Sequence, residues 1–245
     1  MAARPAAKRP AGRPAEAPPR AVVRDLTRSG AELRIDWDVR TAYDFVFSLS
    51  GDAGHTDDLP AKDREWLVES RKTLQPDAQA GIADLFESEL AIHAGVLVVE
   101  EPGVRTSADF VQLVADTSPR DLISALFTDD YHGVDVSQLI ARAIAGDDSA
   151  FPELAEKLPE WNKEGRLELL RDPAMAKERI VNVLQAWQHP FSEIEPRVMA
   201  ILERDYDVRA GDRERLAPAD LIEATTGGLR YLPEAGISRV ILGPS

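Results

Sequence analysis

The sequence lacks cysteine altogether and contains only four histidines among its 245 residues. Without cysteine it cannot form a disulfide framework, a thiolate nucleophile or a metal site built on sulfur. It also lacks a long apolar run, since the longest, at residues 95–99, is far short of the roughly 18 residues of a membrane span. The N-terminus has no apolar stretch of the kind found in secretion signals. We therefore expect a cytoplasmic protein that does not insert into a membrane.

Basic side chains are also in short supply, because 29 Lys and Arg face 43 Asp and Glu, for a net charge of −14. The first twenty residues are the exception, with five basic side chains, one acidic side chain and five of the 17 prolines. Residues 1–20 are predicted to be a disordered basic tail, and residues 21–245 one mainly helical domain. Contacts with phosphates dominate DNA affinity, so an acidic body is a poor DNA-binding surface by itself.

Strand signals occur near the two ends of the chain. Leu33, Ile35, Trp37 and Val39 alternate with charged residues, a period typical of a half-buried strand. Residues 229–242 read as a hairpin with a Pro–Glu–Ala–Gly turn. We predict a small antiparallel sheet that combines the N-terminal strand with this C-terminal hairpin. The sequence stops three residues after the hairpin, so we expect the chain to be the N-terminal part of a longer protein.

The rest of the chain favours helices, and the predicted fold class is α+β, mostly helical. Proline starts, glycine stops and apolar residues spaced three or four apart indicate about eight helices. The apolar residues 96–99 fit either a strand or a buried helix end. The predicted helices lie within residues 41–50, 60–74, 76–90, 119–127, 134–145, 176–187, 194–202 and 218–226.

No catalytic set is evident. Glu89 and His93 have the spacing of two metal ligands on a helix, but no further ligand has a matching position, so neither a metal nor a cofactor is expected. Between two predicted helices, Asp129, Asp130 and Tyr131 precede His132. A carboxylate–histidine pair could act in acid–base catalysis there, although a polar loop between helices is the commoner explanation.

Two kinds of binding site are conceivable from the sequence. The helices at 119–127 and 134–145 have the rhythm of a helix–turn–helix, but the second presents only Gln138 and Arg142 to bases, which favours an ordinary packed pair. Several aromatic residues could instead line a ligand pocket between helices, although aromatic side chains more often fill the core. The candidate pocket residues are Trp37, Tyr43, Phe47, Trp66 and Trp187.

The layout resembles the N-terminal region of bacterial ArsR-like transcriptional regulators. The resemblance rests on Glu-Leu-Arg-Ile-Asp-Trp-Asp at 32–38 and Tyr-Asp-Phe-Val-Phe at 43–47. Later it rests on Phe-Ser-Glu-Ile-Glu-Pro at 191–196 and on residues 229–245. In such regulators a large, mostly helical region precedes a winged helix-turn-helix, which this chain lacks. The resemblance implies no catalytic residues, and without cysteine the thiolate sites of many ArsR-like metal sensors have no counterpart.

These observations lead to three hypotheses of function. The first is an effector-sensing or dimerisation region of a transcriptional regulator, not an enzyme, which binds DNA through a C-terminal winged helix. Its expected partners are a second copy in a homodimer and a small-molecule effector. The alternatives are a small-molecule enzyme with its site near Asp129 and His132, or a pure protein-interaction scaffold.

Overall fold

The computed structural model describes residues 33–51, 59–86, 90–127, 136–158, 163–228 and 239–243. Within these ranges the chain forms eleven helices and two short strands, so it is mostly helical, as predicted. The predicted tail at 1–20 and the predicted site at Asp129 and His132 lie outside the described residues. The strands are β1 (Arg34–Trp37) and β2 (Arg239–Leu242). The helices are α1 (Thr41–Phe47), α2 (Ala61–Thr73), α3 (Pro76–Leu85), α4 (Leu90–Glu100), α5 (Ser107–Asp116), α6 (Pro119–Phe127), α7 (Ser137–Ile144), α8 (Ala150–Lys157), α9 (Lys163–Arg171), α10 (Pro173–Arg215) and α11 (Pro218–Thr225).

The prediction of about eight helices was too low: α5, α8 and α9 were not foreseen, α4 was left open between strand and helix, and two of the predicted helices form the single helix α10. The signal for α5 is nevertheless present: the Thr106 side chain accepts from the Asp109 backbone N–H, and the Asp109 side chain accepts from the Thr106 backbone N–H. This reciprocal capping box is a local sequence motif that starts helices. The apolar residues 96–99 belong to helix α4, so the helix alternative for them is confirmed.

Helix α10 spans 43 residues, where two helices separated at Pro190 were predicted. The helix continues through both Pro190 and Pro196. Proline removes one backbone donor and crowds the preceding turn, but buried apolar residues on both sides, including Trp187 and Phe191, keep the helix packed against the body. Within the described residues, no helix is both long and apolar enough to cross a membrane.

The main hydrophobic core surrounds the first half of α10. This half of α10 packs against α1, α3, α5 and α6, while α7, α8 and α9 extend the same core. At its centre the ring of Phe45 meets those of Phe110 and Phe191 edge-on, with centroids 6.3 and 5.2 Å apart. Aromatic pairs prefer this edge-to-face geometry because the positive ring edge faces the negative ring face.

The sheet is parallel, which corrects the predicted antiparallel arrangement. Strand β1 pairs with β2 in the register Arg34 with Arg239 and Trp37 with Leu242. The helical body lies between the two strands in sequence, so the route of that body sets their relative direction and no tight turn constrains it. The first predicted hairpin strand, near residue 230, lies outside the described residues.

The two faces of the sheet differ in chemistry. Asp36 on one face accepts hydrogen bonds from both Arg34 and Arg239, and these arginines hold its pKa below the usual value for an aspartate. The other face joins α11 and the end of α10 in a second, smaller apolar cluster, which we call the distal cluster. Its members are Leu33, Ile35, Trp37, Leu216, Leu221, Ile222, Val240 and Leu242.

Candidate functional site

Two segments on which the resemblance rests lie against each other in the structure. Phe45, from residues 43–47, contacts Phe191, from residues 191–196. One turn away, the hydroxyl of Thr41 donates to Glu195 Oε1 at 2.6 Å. We call the cluster formed by Thr41, Phe45, Ser107, Phe191 and Glu195 the α1–α10 junction. It unites residues that are about 150 positions apart in sequence, which periodicity alone does not predict.

Glu195 holds the start of α5 as well as the start of α1. The backbone N–H of Ser107 donates to Glu195 Oε1 and the Ser107 hydroxyl to Oε2, both at 2.7 Å. Ser107 and Thr41 are completely buried. The first N–H groups of a helix have no partner within it, and a carboxylate also complements the positive end of the helix dipole. Glu195 therefore satisfies donors that water cannot reach.

The other end of α5 is held by the same long helix. Lys177 Nζ on α10 donates to the carbonyl oxygens of Ala115 and Thr117, both at 2.6 Å. A cation at this position complements the negative end of the helix dipole. Helix α5 is thus held at its N-terminus by Glu195 and at its C-terminus by Lys177, so α5 and α10 run antiparallel.

A buried arginine joins the end of β1 to the turn between α4 and α5. Arg40 is 4% exposed and donates to the carbonyl oxygens of Glu101 and Val104 at 2.9 and 3.0 Å. It also forms a two-pronged ion pair with Asp38, to which the Tyr43 hydroxyl donates at 2.7 Å. Burial, together with the Asp38 carboxylate, raises the pKa of Tyr43 to about 12. The phenol therefore stays protonated, and this group positions the chain.

The aromatic residues predicted to line one pocket are distributed over several places. Trp66 and Trp187 do meet, with centroids 5.8 Å apart, and Trp187 Nε1 donates to Ser48 Oγ at 2.8 Å. Trp37 instead contacts Tyr206 on the second half of α10, at 5.9 Å between centroids.

Tyr43 belongs to the arginine network, and the ring of Phe47 lies over Gly95. The structure therefore brings together two of the five predicted pocket residues, Trp66 and Trp187.

A cavity of about 10 Å³ lies in the main core between α3, α4, α5, α6 and α10. A cavity of this size holds one water at most, and an apolar lining gives that water no hydrogen-bond partner. None of the predicted pocket residues lines it. Its lining residues are Phe86, Leu90, Ala94, Leu97, Phe110, Val114, Leu122, Leu126, Ile180 and Leu184.

Metal-binding chemistry has no visible basis in the part of the chain that the structure describes, where no group of three His, Asp or Glu side chains could hold an ion. His93 is buried in α4, and its suggested companion Glu89 lies outside the described residues.

One carboxyl group is unusual: burial raises the pKa of Asp44 on α1 to about 6. A carboxyl that titrates near neutral pH is a functional candidate, although structural burial produces the same shift.

An apolar surface remains open on α4 and at the end of α1. Ile92, Val96 and Val99 are spaced four and three residues apart on one side of α4, and they are 59, 45 and 37% exposed. Phe47, one turn after Asp44 on α1, is 45% exposed, and a Cβ atom on Gly95 would lie 2.9 Å from its Cζ. Gly95 neighbours Ile92 and Val99 on the helix surface, so the four side chains are contiguous. We call Phe47, Ile92, Val96 and Val99 the α4 face.

Comparisons with models of known protein families, with curated proteins and with solved structures found no match. The resemblance to ArsR-like regulators therefore stays a prediction. Several positions that organise the fold, above all Glu195, Lys177 and Arg40, were missed in the sequence. Glu195 lies in one of the segments that carry the resemblance, but charged residues on a helix give no local sign that they cap another helix.

Proposed function

We propose that this chain is the effector-sensing or dimerisation region of a cytoplasmic transcriptional regulator that acts as a homodimer. A winged helix following residue 245 would make the DNA contacts. The net charge of −14 supports this division of labour, because an acidic body repels the phosphate backbone and leaves DNA binding to a separate basic part. The resemblance of the sequence to ArsR-like regulators supports the same assignment.

The observation that carries the proposal is the position of α10. Its first half forms the main core and the α1–α10 junction, and its second half reaches the distal cluster through the contact of Tyr206 with Trp37. A helix of 43 residues is about 64 Å long. A change in packing at the junction would move the distal cluster, which contains β2 near the C-terminal end of the chain.

Two prolines mark the part of α10 at which such a movement would cost least. Pro190 cannot donate to the carbonyl oxygen of Ala186, and Pro196 cannot donate to that of Ser192. The helix therefore lacks two backbone hydrogen bonds near the junction, one at each proline. Kinks in helices concentrate at such positions. We expect a regulatory change to bend α10 between these prolines.

Among the described residues, the core cavity is too small for a metabolite, so an effector that binds there or nearby needs space that a movement of helices would open. The contact between Trp66 and Trp187 is the best place for such a movement, since Trp66 is half-buried and the two rings join α2 to α10. A ligand shifts a conformational equilibrium only to the extent that it binds one state better than the other. Insertion between the two indoles would favour a state in which α2 has moved away from α10.

The test is a fluorescence anisotropy titration of the intact gene product on DNA from its own promoter region. We expect specific binding that weakens steeply with salt, whereas this 245-residue chain alone should not bind. Absence of specific binding by the intact protein at both low and moderate salt would reject the regulator assignment.

A further inference from the structure

We infer that the α4 face is the docking surface for an amphipathic helix of a partner protein, one whose apolar side chains are flanked by lysine or arginine. The inference is independent of the DNA-binding proposal. It rests on the geometry and charge of α1 and α4, and a failed promoter titration would leave it intact.

Exposed apolar side chains are concentrated on the α4 face. Six large apolar side chains of the described residues are exposed, and four of them form the α4 face. Together they present on the order of 300 Å² of apolar surface, and contiguous patches of this size are often functional. Their spacing along α4 matches the pattern with which one helix face packs against another.

The charge around the face determines which partner fits it. Helix α4 contributes the exposed Glu100, while neither α1 nor α4 contains a lysine or arginine. Glu100 follows Val99 directly and lies one turn after Val96, at the edge of the face. The whole sequence between Lys72 and Arg105 carries six acidic and no basic residues. Complementary charges at the rim of an interface steer association and suppress wrong partners.

A second copy of this chain fits the same face poorly. A two-fold contact places the same patch on both sides, so two faces that each carry acidic side chains such as Glu100, and no basic side chain on α1 or α4, would meet. Each chain also carries a net charge of −14, and stable dimers bury about 800 Å² on each partner, well above the area of this patch. A single basic amphipathic helix avoids both problems.

The probes are two fluorescein-labelled helical peptides with the same leucine face, one flanked by lysine and the other by glutamate. Anisotropy should show that the lysine peptide binds at least tenfold more tightly than the glutamate peptide. The double variant Ile92→Ser/Val96→Ser should weaken binding of the lysine peptide at least tenfold, because it removes the two most exposed aliphatic side chains of the face. Val208→Ser, which changes an exposed valine on the second half of α10, should leave binding unchanged.

The contribution of acidic side chains to binding is tested separately with Glu100→Lys. This variant should reduce the preference for the lysine peptide over the glutamate peptide at least threefold. Circular dichroism of each variant checks that the fold is retained.

Three results would overturn the inference. One is lysine-peptide binding that the double variant does not weaken, since that would be general attraction to an acidic protein. Another is the absence of binding by either peptide. The third is a concentration-dependent dimer in sedimentation velocity that the double variant abolishes, since the occupant would then be a second copy.

Discussion

Replacement of Glu195 by alanine tests whether the α1–α10 junction holds the fold together. Glu195 accepts three hydrogen bonds from donors on Thr41 and Ser107, which are 0% exposed. A buried donor left without a partner costs about 1–3 kcal/mol, and loss of the charge at the start of α5 adds about 0.5–1 kcal/mol. The Thr41 hydroxyl has a second acceptor in the carbonyl oxygen of Arg105, which limits its share. We expect Glu195→Ala to lower the free energy of unfolding by about 3 kcal/mol.

The measurement is urea denaturation followed by circular dichroism at constant m-value, so that a shift in midpoint reports stability. Glu195→Gln keeps one acceptor and should cost less, about 1 kcal/mol. Glu193→Ala is the matched control, since Glu193 is exposed on the same helix and should change stability by no more than about 0.5 kcal/mol.

A double-mutant cycle with Ser107→Ala isolates the contact itself, and its coupling energy should exceed about 1 kcal/mol. A loss below about 1 kcal/mol for Glu195→Ala, or strict additivity in the cycle, would refute the account of the junction given above.

Three further predictions concern single positions. The pKa of Asp44 is raised to about 6, so its ionisation opposes folding at neutral pH; Asp44→Asn should therefore stabilise the protein by about 2 kcal/mol near pH 7.5. That gain in stability should shrink as the pH falls through about 6 towards 4, because the carboxyl of the folded state then becomes protonated. Urea midpoints at several pH values measure this, and a gain independent of pH would contradict the burial of Asp44. Pro196 is exposed, and Pro196→Ala restores a helical donor, so thermal denaturation should show a stabilisation of about 1–2 kcal/mol. A loss of stability would mean that the proline ring itself stabilises α10. Gly81→Ala should cost about 1–3 kcal/mol because its Cβ would collide with the stiff, buried side chain of Val183. Gly95→Ala should be neutral or gain up to about 1 kcal/mol, because only an exposed, movable ring stands in the way and alanine is the better helix former; equal effects at the two glycines would refute the packing described for them.

Short-range signals in the sequence account for the parts of the fold that were predicted correctly. The alternation of Ile35 and Trp37 with charged residues correctly predicted a strand with one apolar face. Proline starts correctly predicted α3, α6 and α11 near their observed first residues. These signals act within a few residues, and neighbouring elements did not override them here.

Two of the mistaken predictions, the helix break at Pro190 and the antiparallel sheet, share one cause, which is that packing between distant segments outweighed a local preference. Pro190 is a helix breaker, yet α10 continues because Trp187 and Phe191 are buried on either side of it. The sheet is parallel because the helical body returns the chain to β1 in that direction. In both cases the deciding contacts join residues far apart in sequence.

The sequence by itself determined that the protein is acidic, free of cysteine and mostly helical, since composition and short-range periodicity suffice for those properties. Tertiary structure alone decided the candidate site. Glu195, Ser107 and Thr41 come from three different helices, and the α4 face joins Phe47 to side chains about 50 positions later. A charged or apolar residue on a helix looks the same in sequence whether it faces solvent, a helix end or a future partner. Only the packed arrangement of the helices distinguishes these cases.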